Sequence, residues 1–405
     1  MAGARRPGRN FLFVPGPTNV PDRVLRAMHV AMEDHRSSDF PKLTLPLFED
    51  LKKIFKTRDG QVVIYPSSGT GAWEAALTNT RSPGDKLLAA RFGQFSHLWI
   101  ELARRHGLDI VVQEEEWGSG ANPDRIEEAL RADKSHEIKG VMVVHNETAT
   151  GVTSDVAAVR RAMDAAKHPA LLYVDGVSSI ASIDFRFDEW GVDFAITGSQ
   201  KGLMLPVGLG IVCASQKALA QMKDAGCRRA YFEFTDHMKA NATGYFPYTP
   251  AVMLFHGLRE SLAILQEEGL DNVFARHQRL AAATRAAVNH WGLEVLCQNP
   301  QEHSPVLTAV LMPPGHDADQ FRQVVLDNYN MSLGAGLSKV AGKVFRIGHL
   351  GECNELTLLG ALTGVEMGLS VAGVPHRAGG VAAAMSYLEG WTEGNNPAPL
   401  KVVGV

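Results

Sequence analysis

The sequence predicts an α/β architecture: a large unit with a mostly parallel sheet, followed by a smaller α+β unit. Three observations lead there. Short apolar runs alternate with helically periodic segments over the first two-thirds of the 405 residues, the order expected of a parallel sheet covered by helices. Those runs are apolar throughout rather than at every second position, as strands buried on both faces are. Past about residue 270 the pattern changes to longer helices with isolated strands between them.

The strands of the large unit are expected at 62–65, 87–90, 110–112, 141–144, 171–174, 194–197 and 209–213. Helical periodicity lies between several of them, at 126–132 and 156–166. A long helix follows over 252–268, interrupted by Gly257 and stopped by Gly269. The smaller unit is expected as a helix at 272–291, a strand at 306–312, a helix at 316–328, a strand at 344–347 and a helix at 356–369. This gives an N-terminal arm at 1–20, a large unit at 21–270, a small unit at 271–385 and an irregular tail at 386–405. Gly394-Asn395-Asn396-Pro397-Ala398-Pro399 marks the tail as turn-rich.

Composition narrows the function. With 45% hydrophobic and 21% charged residues the chain resembles ordinary globular proteins, and a net charge of −4 gives no basis for a nucleic-acid partner. Four scattered cysteines, Cys213, Cys227, Cys297 and Cys353, fit free thiols in a reducing compartment. Arg5, Arg6 and Arg9 precede only Phe11-Leu12-Phe13-Val14, too short a core for a signal peptide, and no run approaches a membrane span. A soluble, cytoplasmic protein without a membrane partner is expected. His29 and His35 form no metal-binding spacing, so no metal site is expected.

Three features carry chemistry. Ser67-Ser68-Gly69-Thr70-Gly71 joins a strand to a helix, where free backbone N–H groups and the helix dipole favour a phosphate; such a serine also serves as an ordinary N-cap. Asp175 ends the strand at 171–174, beyond the carboxyl end where ligands of open sheets bind, though an aspartate there also caps a turn. Lys201, in Ser199-Gln200-Lys201-Gly202, follows the next strand and by itself reads as a surface lysine. Together, the lysine and the aspartate suggest a pyridoxal phosphate (PLP) site.

The pair resembles that of the class V, fold-type I PLP-dependent aminotransferases. So do Phe13-Val14-Pro15-Gly16-Pro17-Thr18, Ser68-Gly69-Thr70-Gly71, His145-Asn146-Glu147-Thr148-Ala149-Thr150-Gly151, Tyr248-Thr249-Pro250, Leu258-Arg259-Glu260-Ser261-Leu262 and Arg346-Ile347-Gly348, in the family's order over about residues 10–370. The resemblance implies that Lys201 carries the cofactor and moves the substrate's α-proton. It implies that Asp175 faces the ring nitrogen, that Ser68, Gly69, Thr70 and Gln200 lie on the phosphate side, and that Thr148 meets the ring hydroxyl. Phe95 stacks on the ring, where many relatives have tryptophan. Thr249, with Tyr245 or Tyr248, reaches the phosphate of a neighbouring subunit, which implies a homodimer at least and allows a tetramer. Arg346, in the strand-like Val344-Phe345-Arg346-Ile347, would be costly if buried unpaired; the resemblance implies that it anchors the substrate α-carboxylate, and a salt bridge to a protein carboxylate is the plainer alternative.

The activity so implied is ping-pong transfer of the amino group of L-serine to glyoxylate, giving hydroxypyruvate and glycine, with alanine and aspartate as alternative donors. Arg36 could serve a second carboxylate. Cysteine desulfuration, which shares the fold, needs a loop cysteine, and 330–343 contains none. A non-catalytic PLP-fold protein would not need Lys201, Asp175 and Arg346 all intact. Val402-Val403-Gly404-Val405 lacks a peroxisomal signal, in keeping with a bacterial cytoplasmic enzyme.

Overall fold

A computed structural model describes residues 8–390. Its larger sheet contains all seven expected strands, in the order Gln61–Pro66, Leu209–Ala214, Phe194–Gly198, Leu171–Asp175, Ile138–Val144, Lys86–Arg91, Asp109–Glu114. Leu209–Ala214 runs antiparallel to both neighbours and the remaining pairs are parallel. The central strands are buried along their whole length, as their unbroken apolar sequences require. Only the edge strand Asp109–Glu114 alternates between exposed and covered positions.

This topology brings chemistry to one edge. The strands ending in Pro66, Asp175 and Gly198 all point the same way, so the loops that follow them emerge together. Register ties them closely: Asp175 lies opposite Ile196, Gly198 opposite Gly210, and Pro66 opposite Leu209.

The helix expected at 252–268 is present as Val252–Glu268. Gly257 does not weaken it without reason, since a Cβ there would meet Met28 at 2.8 Å. Gly269, at φ +81°, ends it, and Leu270–Trp291 starts at once. A helix at Phe40–Phe55 was not anticipated; Pro41 opens it, and Pro46 inside it reads as a breaker.

The second sheet has the order Phe11–Phe13, Met331–Ala335, Val344–Gly348, Leu307–Leu311, Glu294–Val295. Its core holds Phe13, Leu280, Trp291, Phe321, Phe345 and Leu362. Phe11–Phe13, placed in an N-terminal arm by the sequence, is an edge strand of this sheet, parallel to Met331–Ala335. The expected tail boundary at 385 is corrected: the helix Gly380–Glu389 runs through it. Its alanine-rich sequence favours a helix, and Ala384 is buried against the second core. The tail beyond Gly390 lies outside the described residues. No helix among the described residues is long and apolar enough to cross a membrane.

Candidate active site

The loop after Pro66 lies directly on the sheet's end because two glycines give it room. A Cβ at Gly198 would come within 3.3 Å of the Gly69 nitrogen, and one at Gly210 within 2.5 Å of the Ser68 carbonyl oxygen. The helix Gly69–Thr78 begins here with Ser68 in extended conformation and no side-chain cap bond. The serine's ordinary capping role is therefore not taken up. Its hydroxyl and the first helical amides face a cavity of about 310 Å³, within the size range of small-ligand sites.

Eight of the residues singled out in the sequence line this cavity: Ser68, Gly69, Thr70, Phe95, Thr148, Asp175, Gln200 and Lys201. Gly16, Trp73 and Ser178 line it too, and no site role was read for them from the sequence.

Lys201 is buried, and its Nζ donates to the carbonyl of Pro15. A Cβ on Gly16 would fall 2.4 Å from Lys201 Nζ, so a larger residue there would displace the end of the lysine. Burial, and after it the Arg346 charge, lower the amine's pKa to about 8 against the opposing charges of Asp175 and Glu147. The turn is tied to the N-terminal segment by Thr18, whose N–H donates to Gln200 O at 3.2 Å. Gln200 Oε1 is buried without a hydrogen-bond partner, a polar atom that a ligand in the cavity could satisfy.

Asp175 partly bears out its ordinary reading, since Oδ1 accepts the Val177 N–H at 2.7 Å and so braces the turn. It is nonetheless sunk in the sheet's end, and burial raises its pKa to about 7 despite the Val177 amide. A buried carboxyl poised in this way fits a cationic or N–H-bearing ligand atom. Thr148 Oγ1 donates to Ser178 Oγ at 3.3 Å, and Ser178 Oγ in turn donates to Asn146 O.

Arg346 stands behind Thr148 in the strand Val344–Gly348. Its Nη1 donates to Thr148 O and its Nε to Ala335 O, both at 2.7 Å. Among the described residues no carboxylate lies within 4.0 Å of it, so the buried cation is not the member of a protein salt bridge that its strand position also allowed. Burial lowers its pKa to about 10. Thr249 does not reach the cavity of its own chain; it is exposed, just before Val252–Glu268. Tyr245 beside it donates to Ser37 O at 3.1 Å, which joins this segment to the one bearing exposed Arg36. Tyr248 stacks on Tyr231.

Glu147 was missed as a functional residue, although its motif was recognised. It is completely buried, and its carboxylate accepts backbone N–H groups of Phe95, Ser96 and Ala149. Its neighbours His145, Asn146, Thr148 and Thr150 are polar as well, so nothing local set it apart.

Residues 10–349 match the aminotransferase class-V family. The chain is a class V aminotransferase. It is 63% identical to a serine–glyoxylate aminotransferase of Methylorubrum extorquens, over 96% of this chain and 98% of the relative. It is 52% identical to an L-aspartate–glyoxylate aminotransferase of Paracoccus denitrificans, over 94% and 96% respectively. Among solved structures, the ureidoglycine–glyoxylate aminotransferase of Bacillus subtilis superposes with a TM-score of 0.87 at 28% identity, covering 95% of this chain and 99% of that one. The fold is that of the fold-type I enzymes, and the family's cofactor is PLP. The residues present fit it: an uncapped helix N-terminus with Ser68 and Thr70 on one side, a buried carboxyl and a desolvated amine on the other.

Proposed function

We propose that this aminotransferase moves the amino group of L-serine to glyoxylate, giving hydroxypyruvate and glycine, and that it works as a homodimer. The observation that carries the substrate reading is the 63% identity, nearly end to end, with a protein named for that reaction.

Bound in the cavity, PLP would supply an electron sink for the carbanion formed at the substrate α-carbon. The chain's own residues do the rest. Ser68, Thr70, Gln200 and the first amides of Gly69–Thr78 hold a phosphate against a positive helix end. Asp175 would keep a proton on the ring nitrogen, and Phe95 would offer the ring an aromatic face. Thr148 offers its hydroxyl beside the ring. Lys201 would hold the cofactor, and as a neutral amine in a dry site it would be the group that takes up and gives back the substrate's α-proton. Arg346, its orientation set by two backbone carbonyls, presents its cationic edge to the α-carboxylate.

Support for the dimer comes from Thr249, which is exposed and remote from its own chain's cavity, on a segment fastened to the one carrying Arg36. Aspartate as donor is the second reading. It is favoured by the 52% identical relative and by Arg36, exposed and without an ion-pair partner among the described residues. Steady-state rates with serine, alanine and aspartate against glyoxylate, on the wild type and Arg36→Ala, separate the readings. Serine should be preferred; a large preference for aspartate, lost in Arg36→Ala, would overturn the serine assignment.

A further inference from the structure

The helix Gln94–Arg105 places Phe95 at the cavity, yet its N-cap residue is Gly93, which has no side chain to satisfy the first amides. That task falls to Glu147, 52 positions beyond Phe95 in sequence. Glu147 Oε2 accepts the Ser96 N–H at 2.9 Å and the Phe95 N–H at 3.1 Å. Its Oε1 accepts the Ala149 N–H at 3.1 Å. Gly93 has to be glycine for this approach, because a Cβ there would lie 2.2 Å from Glu147 Cγ. The Ser96 hydroxyl completes the junction by accepting the Gly93 N–H at 3.0 Å.

The neighbouring residue on this loop is Thr148, whose side chain faces the cavity and whose carbonyl accepts from Arg346. One carboxylate thus fastens the backbone under the Phe95 ring and the backbone around Thr148, and through Thr148 it bears on Arg346.

We infer that Glu147 is a positioning residue for amino transfer: it sets the Phe95 ring, the Thr148 loop and the Arg346 guanidinium in register across the cavity. It touches neither substrate nor cofactor. Ordering by a charged acceptor suits the role, since carboxylate bonds to amides are stronger than neutral ones. A fully buried carboxylate without such donors would be strongly unfavourable. The negative charge also acts on Lys201, Asp175 and Arg346, each of which feels it electrostatically.

The inference rests on reading the cavity as the cofactor's site but not on which amino acid is the donor. The test is Glu147→Gln, nearly isosteric but with an amide whose N–H₂ now faces backbone donors. Three measurements are made: apoprotein thermal stability, the PLP dissociation constant with the visible circular dichroism of the bound cofactor, and KM against kcat for the donor. The expected result is a PLP dissociation constant raised about tenfold, a weakened visible dichroic band, and a donor KM raised more than kcat falls. Gly93→Ala, which pushes the carboxylate from the other side, should give the same signature. Should Glu147→Gln fail to fold, Glu147→Asp, which keeps the charge with a shorter reach, is measured in its place. A variant that loses only thermal stability, with dissociation constant, dichroism and KM unchanged, overturns the inference. Wild-type protein that binds PLP but does not use serine would defeat the substrate reading and leave this one standing.

Discussion

Arg346 Nη1 donates a 2.7 Å hydrogen bond to the carbonyl of Thr148, so the cation behind the cavity and the loop lining it move as one piece. With Nε held by Ala335 O, the planar fork is fixed at two points. Arg346→Lys retains a charge but cannot reproduce that geometry. Steady-state kinetics should show the donor KM raised roughly thirtyfold, the equivalent of about 2 kcal/mol for a charge-assisted hydrogen bond. An unchanged KM would remove Arg346 from the carboxylate site.

Asp175 makes the stability of the apoprotein sensitive to pH. Its pKa is raised from 3.8 to about 7, so in the fold its protonated form is the favoured one. The stability it contributes is complete below pH 4 and is lost as the pH rises through 7. Asp175→Asn removes that loss. The apoprotein variant should melt above the wild type at pH 8, and the gap should narrow steadily toward pH 4. Equal melting temperatures at pH 8 would show that the carboxyl is not desolvated. In the loaded enzyme the same variant should lose activity, because a neutral amide does not hold a proton on a ring nitrogen.

Lys201 gives a kinetic signature. Its pKa is brought down from 10.5 to about 8 by burial and by the Arg346 charge, and only the neutral amine is nucleophilic. Stopped-flow absorbance of PLP uptake by apoprotein should therefore show a rate that rises with pH, is half-maximal near 8 and levels off above. A rate still climbing at pH 10 would contradict this. Lys201→Arg should lower amino transfer by roughly 10²–10⁴.

Gly16 admits the lysine. Its φ of +106° disfavours any other residue, and an added Cβ would lie 2.4 Å from Lys201 Cδ and Nζ. Gly16→Ala should leave a folded protein, checked by circular dichroism, whose PLP uptake is slowed at least tenfold. Normal uptake would mean that the lysine has room elsewhere.

Much of this was legible in the sequence, and the exceptions share a cause. The seven strands of the large sheet are continuous apolar runs, and burial of both faces writes that pattern directly. Met331–Ala335 carries no such run and Phe11–Phe13 is only three residues long; they are placed by pairing across the chain, with each other and, for Met331–Ala335, with Val344–Gly348. Phe40–Phe55 was hidden by Pro41 and Pro46, which local rules read as breaks. At the site, Ser68, Asp175 and Lys201 were visible because they follow strands at the edge where loops converge. Glu147 was not, because its purpose belongs to a helix that begins at Gln94. Arg346 was visible as a charge out of place in an apolar strand, whereas its bond to Thr148 was not.

The pairing of Phe11–Phe13 with Met331–Ala335 also sets a timetable. Asn10 bonds to Asn330, 320 positions later, and the Pro15 carbonyl that receives Lys201 Nζ hangs directly from this strand. While the chain is being synthesised, Phe11–Phe13 lacks its strand partner until residues 331–335 have left the ribosome. Contacts of such sequence separation form late. The segment that carries the lysine's resting contact is therefore seated in its sheet only when most of the chain has been made.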